Sequence, residues 1–201
     1  MRTLFRCSGG EIALPNTPLV LVSREDGGNL IVKPRRDVWD RGELTAIELT
    51  LWSFLVAAAA KAMLHVLPQL AGGCINYWDA GNWALNDEAE PKGPKRGSEH
   101  RHVHLHLLGR SRTATDPSWR WGEAPRWPDY AERQAWSSKF ERLTADECRR
   151  IVESVEVLLL KNYGFHGADI SASVACAACG YPTTGEAGDS CMACAERLHS
   201  Q

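Results

Sequence analysis

The apolar positions of the chain fall into several short runs and two long helical stripes. Pro18 to Ser23 and Asn29 to Val32 are apolar runs separated by Arg24-Glu25-Asp26-Gly27-Gly28, turn chemistry that predicts a β-hairpin. From Leu44 the period lengthens. Thr45-Ala46-Ile47-Glu48 has the form of a capping box, and Leu51, Trp52, Leu55, Val56, Ala59, Met63 and Leu64 continue an apolar stripe until Pro68. A helix of this kind packs across a sheet. Gly72-Gly73 ends it, and Cys74-Ile75-Asn76-Tyr77-Trp78 predicts a strand that runs into a loop with Gly81 and Asn82.

A polar insertion over 86–98 holds Pro91, Gly93, Pro94 and Gly97, and the next strand is predicted at His102 to Leu108. Residues 111–128 carry Trp119, Trp121 and Trp127 among prolines and arginines and read as an ordered loop, the tryptophans as core residues rather than pocket walls. Leu143-Thr144-Ala145-Asp146-Glu147 repeats the capping signature. Cys148, Ile151, Val152, Val155, Leu158 and Leu159 then form a second amphipathic helix that stops near Asn162-Tyr163-Gly164. Helices that follow strands without a repeated βαβ alternation predict an α+β fold, with a mostly antiparallel sheet and packed helices.

Length and charge narrow this picture. With 201 residues and 44% hydrophobic content the chain can bury one core, and at ~150 residues per domain it predicts one domain, residues 1–170, plus an appendage, residues 171–201. The formal net charge of -2 supplies no global pull toward nucleic acid or an anionic membrane, so any anion site must be local. Met1 to Cys7 lacks the apolar core of a secretory signal, and the apolar stretch Phe54 to Ala60 is too short to span a bilayer. A cytoplasmic protein with no membrane partner is expected, with Cys7, Cys74 and Cys148 reduced.

The densest candidate chemistry is His100-Arg101-His102-Val103-His104-Leu105-His106-Leu107-Leu108, which places four of the seven histidines at every second position. On a strand, alternate residues share one face at ~6.6 to 6.8 Å spacing, so the imidazoles would line one surface while Val103, Leu105 and Leu107 enter the core. Three readings are open: a polar edge strand, a histidine metal site, or a reaction centre. For the metal reading Glu99 is the nearby carboxylate, on the opposite face. Between Lys92 and Arg112 there are six cations, Lys92, Lys95, Arg96, Arg101, Arg110 and Arg112, against the single acid Glu99, which suits an anionic substrate or a solvated charge run.

His102 through Leu108 matches the signature His-φ-His-φ-His-φ-φ, with φ apolar, and so resembles the histidine-triad (HIT) superfamily. Residues 15–112 follow that family's order more loosely: hairpin, Lys33-Pro34-Arg35-Arg36 segment, long helix, Asn76 strand. The resemblance implies an α+β unit, often a homodimer, that cleaves or transfers nucleoside monophosphates through a covalent nucleotidyl-histidine. It implies that His104 is the nucleophile and that His102 and His106 contact the α-phosphate. Asn76 matches the family asparagine near the ribose or phosphate, with Asn82 competing. Two departures stand out. No histidine follows the Pro34 segment, a place His100 would have to fill, and the interval before the triad is long, so Ser98 and Glu99 compete for the polar position preceding it. The candidate substrate-binding set is Asn76, Ser98, His100 and Arg110.

A second motif lies in the appendage. Cys176-Ala177-Ala178-Cys179 and Cys191-Met192-Ala193-Cys194 are two CxxC knuckles separated by eleven residues, and four thiolates in that arrangement predict a closed, structural Zn²⁺ site. A redox dithiol would need only one CxxC. Some members of the HIT superfamily join their domain to a zinc finger and act on adenylated DNA ends. Around these knuckles, however, Glu186, Asp189 and Glu196 outnumber the cation Arg197, so a structural or protein-contact role is favoured over nucleic-acid binding. The expected activity is hydrolysis of a nucleoside 5′-phosphate derivative, a dinucleoside polyphosphate, phosphoramidate or adenylate. The alternatives are nucleotidyl transfer, as in galactose-1-phosphate uridylyltransferases, and non-catalytic binding of nucleotide or nucleic acid.

Overall fold

A computed structural model describes residues 1–79, 81–171, 174–183 and 194. Five strands, β1 (Arg2–Cys7), β2 (Gly10–Leu14), β3 (Asn29–Lys33), β4 (Cys74–Asp79) and β5 (Leu105–Arg110), form one antiparallel sheet in the order β1-β2-β3-β5-β4. Helices α1 (Ala46–Val66) and α4 (Ala145–Asn162) pack together on one face, with the short helices α2 (Gly97–His100) and α3 (Arg133–Ser137) between them in sequence. The class is α+β, as expected. A two-stranded ribbon of β6 (Val174–Ala175) and β7 (Pro182–Thr183) follows.

Both long helices begin where their caps place them. Thr45 Oγ1 accepts the Glu48 N–H while the Glu48 carboxylate accepts the Thr45 N–H, and Thr144 and Glu147 repeat the exchange at α4. The Phe54 to Ala60 run is only part of α1, whose 21 residues are long and apolar enough to cross a membrane by length and composition. Its Trp52, Leu55, Ala58, Ala59, Ala60, Ala62 and Met63 are instead buried in the protein core.

Two expected elements differ. The hairpin of the sheet is β1–β2, not Pro18–Ser23 with Asn29–Val32. Val20, Leu21 and Val22 are buried without forming a strand, because side chains meet their backbone groups: Ser137 Oγ accepts the Val20 N–H and donates to the Val20 carbonyl, and Asn29 Oδ1 accepts the Leu21 N–H. The second difference is that β5 starts at Leu105, not His102. Leu105 pairs with Val32 on one side and Asp79 on the other, and just beyond these β3 runs into Pro34 and β4 ends. Residues 101–104 therefore have no sheet neighbour, and the Val103 N–H donates to Val38 O at 2.8 Å.

β5 is buried on both faces. Leu105 and Leu107 enter the helix-side core, while His106 and Leu108 face a second cluster with Leu21, Val22 and Trp119. That side is closed by residues 111–140, anchored by the Asp26 carboxylate, which accepts the N–H groups of Thr115 and Asp116. Gly27 and Gly109 make the anchor possible. A Cβ on Gly109 would lie 2.2 Å from Gly27 O, and one on Gly27 would lie 2.4 Å from the Gly109 carbonyl carbon.

Candidate functional site

The second face of the sheet carries a cleft of about 400 Å³ with His100, His102, His104 and His106 in its lining. They reach it from different elements. His106 is inside β5, His102 and His104 sit in the extended segment before it, and His100 ends α2. The His104 and His106 rings meet edge to face at 5.0 Å between centroids.

Their electrostatics separate them. His106 is 1% exposed, and its Nδ1 is buried without a hydrogen-bond partner among the described residues. Burial, with the nearby His104 adding to it, pushes its pKa down to about 3, so it is neutral at pH 7. Burial also lowers the pKa of His104, the hydrogen bond to His102 only partly opposing it. His104 Nδ1 lies 2.7 Å from the carbonyl oxygen of His102. That oxygen has no hydrogen to give, so Nδ1 donates and Nε2 keeps the lone pair. His102 is mostly exposed, with Nδ1 at 3.7 Å from an Asp37 carboxylate oxygen.

Most of the remaining wall is apolar. Trp78 lies opposite His106 across the β4–β5 pairing and stacks on Trp127 with ring centroids 4.6 Å apart and an interplanar angle of 7°. Trp83, Leu19 and Leu21 extend this surface, and Lys33 and Asp37 stand at its polar end. Lys33 and Asp37 also border a second, polar cleft of about 620 Å³ with Arg6, Glu11 and Arg35.

The other candidate residues are distributed differently. Asn76 pairs with Leu108 and so shares the histidine face, yet it is exposed and outside the cleft lining, whereas Asn82 is in that lining. Ser98 is exposed on α2, also outside the lining. Arg110 is buried and committed elsewhere: its Nη1 donates to the carbonyls of Arg120 and Glu123, and its guanidinium lies 4.0 Å over the Trp119 ring. It fastens the tryptophan loop rather than facing the cleft. Of the tryptophans read as core, Trp119 is buried and its indole donates to Gly109 O, Trp121 is 40% exposed, and Trp127 walls the cleft. Sequence reading missed Trp78 and Trp83 because nothing local shows which loop covers the sheet.

The sulfurs of Cys176, Cys179 and Cys194 lie within 4.8 Å of one another, close enough to share one metal ion. Cys191, the fourth expected ligand, lies outside the described residues.

No protein-family model matches the chain, and no curated protein matches it. Among solved structures it is similar to a histidine triad (HIT) protein from Sinorhizobium meliloti 1021, at a TM-score of 0.40 and 19% identity over 76% of this chain and 88% of that one.

Proposed function

We propose that the protein cleaves a nucleoside 5′-phosphate derivative at its α-phosphate through a nucleotidyl-His104 intermediate. The observation that carries this reading is the state of His104: neutral, with Nδ1 bonded to the His102 carbonyl and the Nε2 lone pair left for attack. In the first step Nε2 forms a bond to phosphorus while the bond from phosphorus to the leaving oxygen or nitrogen breaks. His102, half of a pair with Asp37, is placed to supply the leaving group's proton. Water then attacks phosphorus, giving a proton back to His102 as its P–O bond forms and the P–N bond breaks, which releases the monophosphate and a neutral His104. The indoles of Trp78 and Trp127 give a planar base an apolar wall beside the reacting histidine.

The test is turnover of a panel of dinucleoside polyphosphates, phosphoramidates and adenylates. His104→Asn is expected to lower kcat/KM by about 10³-fold or more, as removal of a nucleophile does. Unchanged activity in that variant contradicts the mechanism.

A second reading, transfer to an acceptor other than water, is favoured by the adjoining polar cleft, which shares Lys33 and Asp37 with the histidine cleft and has room for a second substrate. Release of free monophosphate with no acceptor present counts against it.

For the cysteine cluster we infer a structural Zn²⁺ held by Cys176, Cys179 and Cys194, with Cys191 as the fourth thiolate on the strength of its CxxC spacing. The homodimer suggested by the HIT resemblance has one support, the edge strand β4, where Tyr77 is 55% exposed. Four cysteines kept as thiolates suit a reducing compartment such as the cytoplasm.

A further inference from the structure

The cysteine cluster does not stand apart from the sheet. Arg2, at the start of β1 and only 7% exposed, donates from Nη1 to Cys179 Sγ at 2.8 Å. Its guanidinium also lies 4.4 Å over the ring of Tyr181. The Tyr181 hydroxyl donates to Leu143 O at 3.0 Å, one residue before the N-cap of α4. The knuckle backbone closes the same unit, with the Cys176 N–H donating to Tyr181 O and the Gly180 N–H donating to Cys176 O. Further along the chain, the Ser171 N–H donates to Arg6 O and the Ser8 N–H donates to Asp169 O.

A divalent ion held by three or four thiolates leaves the site negatively charged, and Cys176 and Cys194 are buried. A buried negative centre needs a compensating cation, and an N–H···S bond to a metal-bound thiolate is a charge-assisted one. Arg2 is placed to supply both. We propose that Arg2 is the outer charge partner of a zinc-class metal site, so that metal loading and the seating of β1 against the start of α4 are one event. The consequence reaches the body of the fold, because β1 is one of the two edge strands of the main sheet and carries the buried Leu4 and Phe5. This rests on the metal reading given above.

The experiment uses the full chain. Zinc content is measured after purification, zinc affinity by competition with a chromophoric chelator, and amide exchange with zinc bound and after its removal. One zinc per chain is expected. Removal of zinc is expected to speed exchange at residues 2–7 and 143–148 by about 10-fold or more, with residues 105–110 little changed. Arg2→Gln is expected to weaken zinc binding by about 10-fold or more, the usual effect of losing a partner of a metal ligand, and Arg2→Lys to recover part of it. If zinc binds with full stoichiometry while exchange at residues 2–7 is unchanged by its removal, the coupling is overturned and the metal site stands. If Arg2→Gln folds and binds zinc as the wild type does, Arg2 is not its charge partner. A wild-type chain that binds no zinc overturns both.

Discussion

His104 Nδ1 lies 2.7 Å from the main-chain oxygen of His102, and this single contact selects the tautomer in which Nε2 carries the lone pair. The His102 carbonyl is open to accept this bond because residues 101–104 lie outside the sheet ladder. Burial keeps the ring neutral below its ordinary value of 6.5. The loss of activity caused by protonation of His104 should therefore set in only below pH 6.5. A kcat/KM profile measured from pH 8 to 5 checks this, and an inflection for the nucleophile at or above pH 6.5 contradicts it.

His106 links the site to stability. Its folded pKa of about 3 lies below the unfolded value of 6.5, so between those values the unfolded chain binds a proton that the folded one does not. The stabilisation is complete above pH 6.5 and is lost as pH falls toward 3. Urea unfolding at pH 6.5 and 4.5 should show the wild type losing about 2 kcal/mol more than His106→Gln, at about 1.4 kcal/mol per pH unit for one proton. Equal losses would mean that His106 is protonated in the folded state.

Trp127 stacks on Trp78 and also meets Trp119 at 5.6 Å and Trp136 at 5.9 Å. Trp127→Leu keeps an apolar filling but removes the flat wall beside the histidines. Stacked aromatic pairs contribute about 0.5–1.5 kcal/mol, so KM for a nucleoside 5′-phosphate substrate should rise by about 3- to 10-fold with kcat nearly kept. A fall in kcat with unchanged KM would place the base elsewhere.

Glu147 is 4% exposed and joins three parts of the fold: it accepts from Arg24 Nε at 2.8 Å, from the Thr144 N–H at 2.9 Å and from Gln69 Nε2 at 3.4 Å. Burial raises its pKa, and the bonds from Arg24 and Thr144 outweigh burial and hold the carboxyl below its usual range. Glu147→Gln should lower the unfolding free energy by about 2–4 kcal/mol at pH 7, because Arg24 loses its charged partner and the oxygen facing Gln69 becomes an NH2, although the amide keeps one oxygen for the Thr144 cap. Denaturant unfolding checks this, and a change within about 0.5 kcal/mol, as at ordinary surface sites, would contradict the role.

What the sequence made legible was local. Thr45 with Glu48 and Thr144 with Glu147 mark helix starts through bonds between residues three apart, and β4 was marked by its own apolar run. The histidine alternation placed Val103, Leu105 and Leu107 in the core and His104 and His106 in the cleft, although Val103 also borders the cleft. What it left hidden depends on distant partners. The start of β5 is set by where β3 and β4 end, residues 18–23 are held by Ser137 and Asn29, and Arg110 is taken up by a loop ten or more residues away. The aromatic wall belongs to the same group, since Trp78 and Trp127 are 49 positions apart and meet only in the folded chain.

The most direct measurement is intact-protein mass spectrometry after a neutral, acid-free quench, with wild type and His104→Asn exposed to labelled nucleoside-phosphate donors. The mechanism predicts one nucleoside monophosphate added to the wild type, lost again on longer incubation, and none on His104→Asn. Turnover by the wild type without any adduct, together with full activity of His104→Asn, would contradict it.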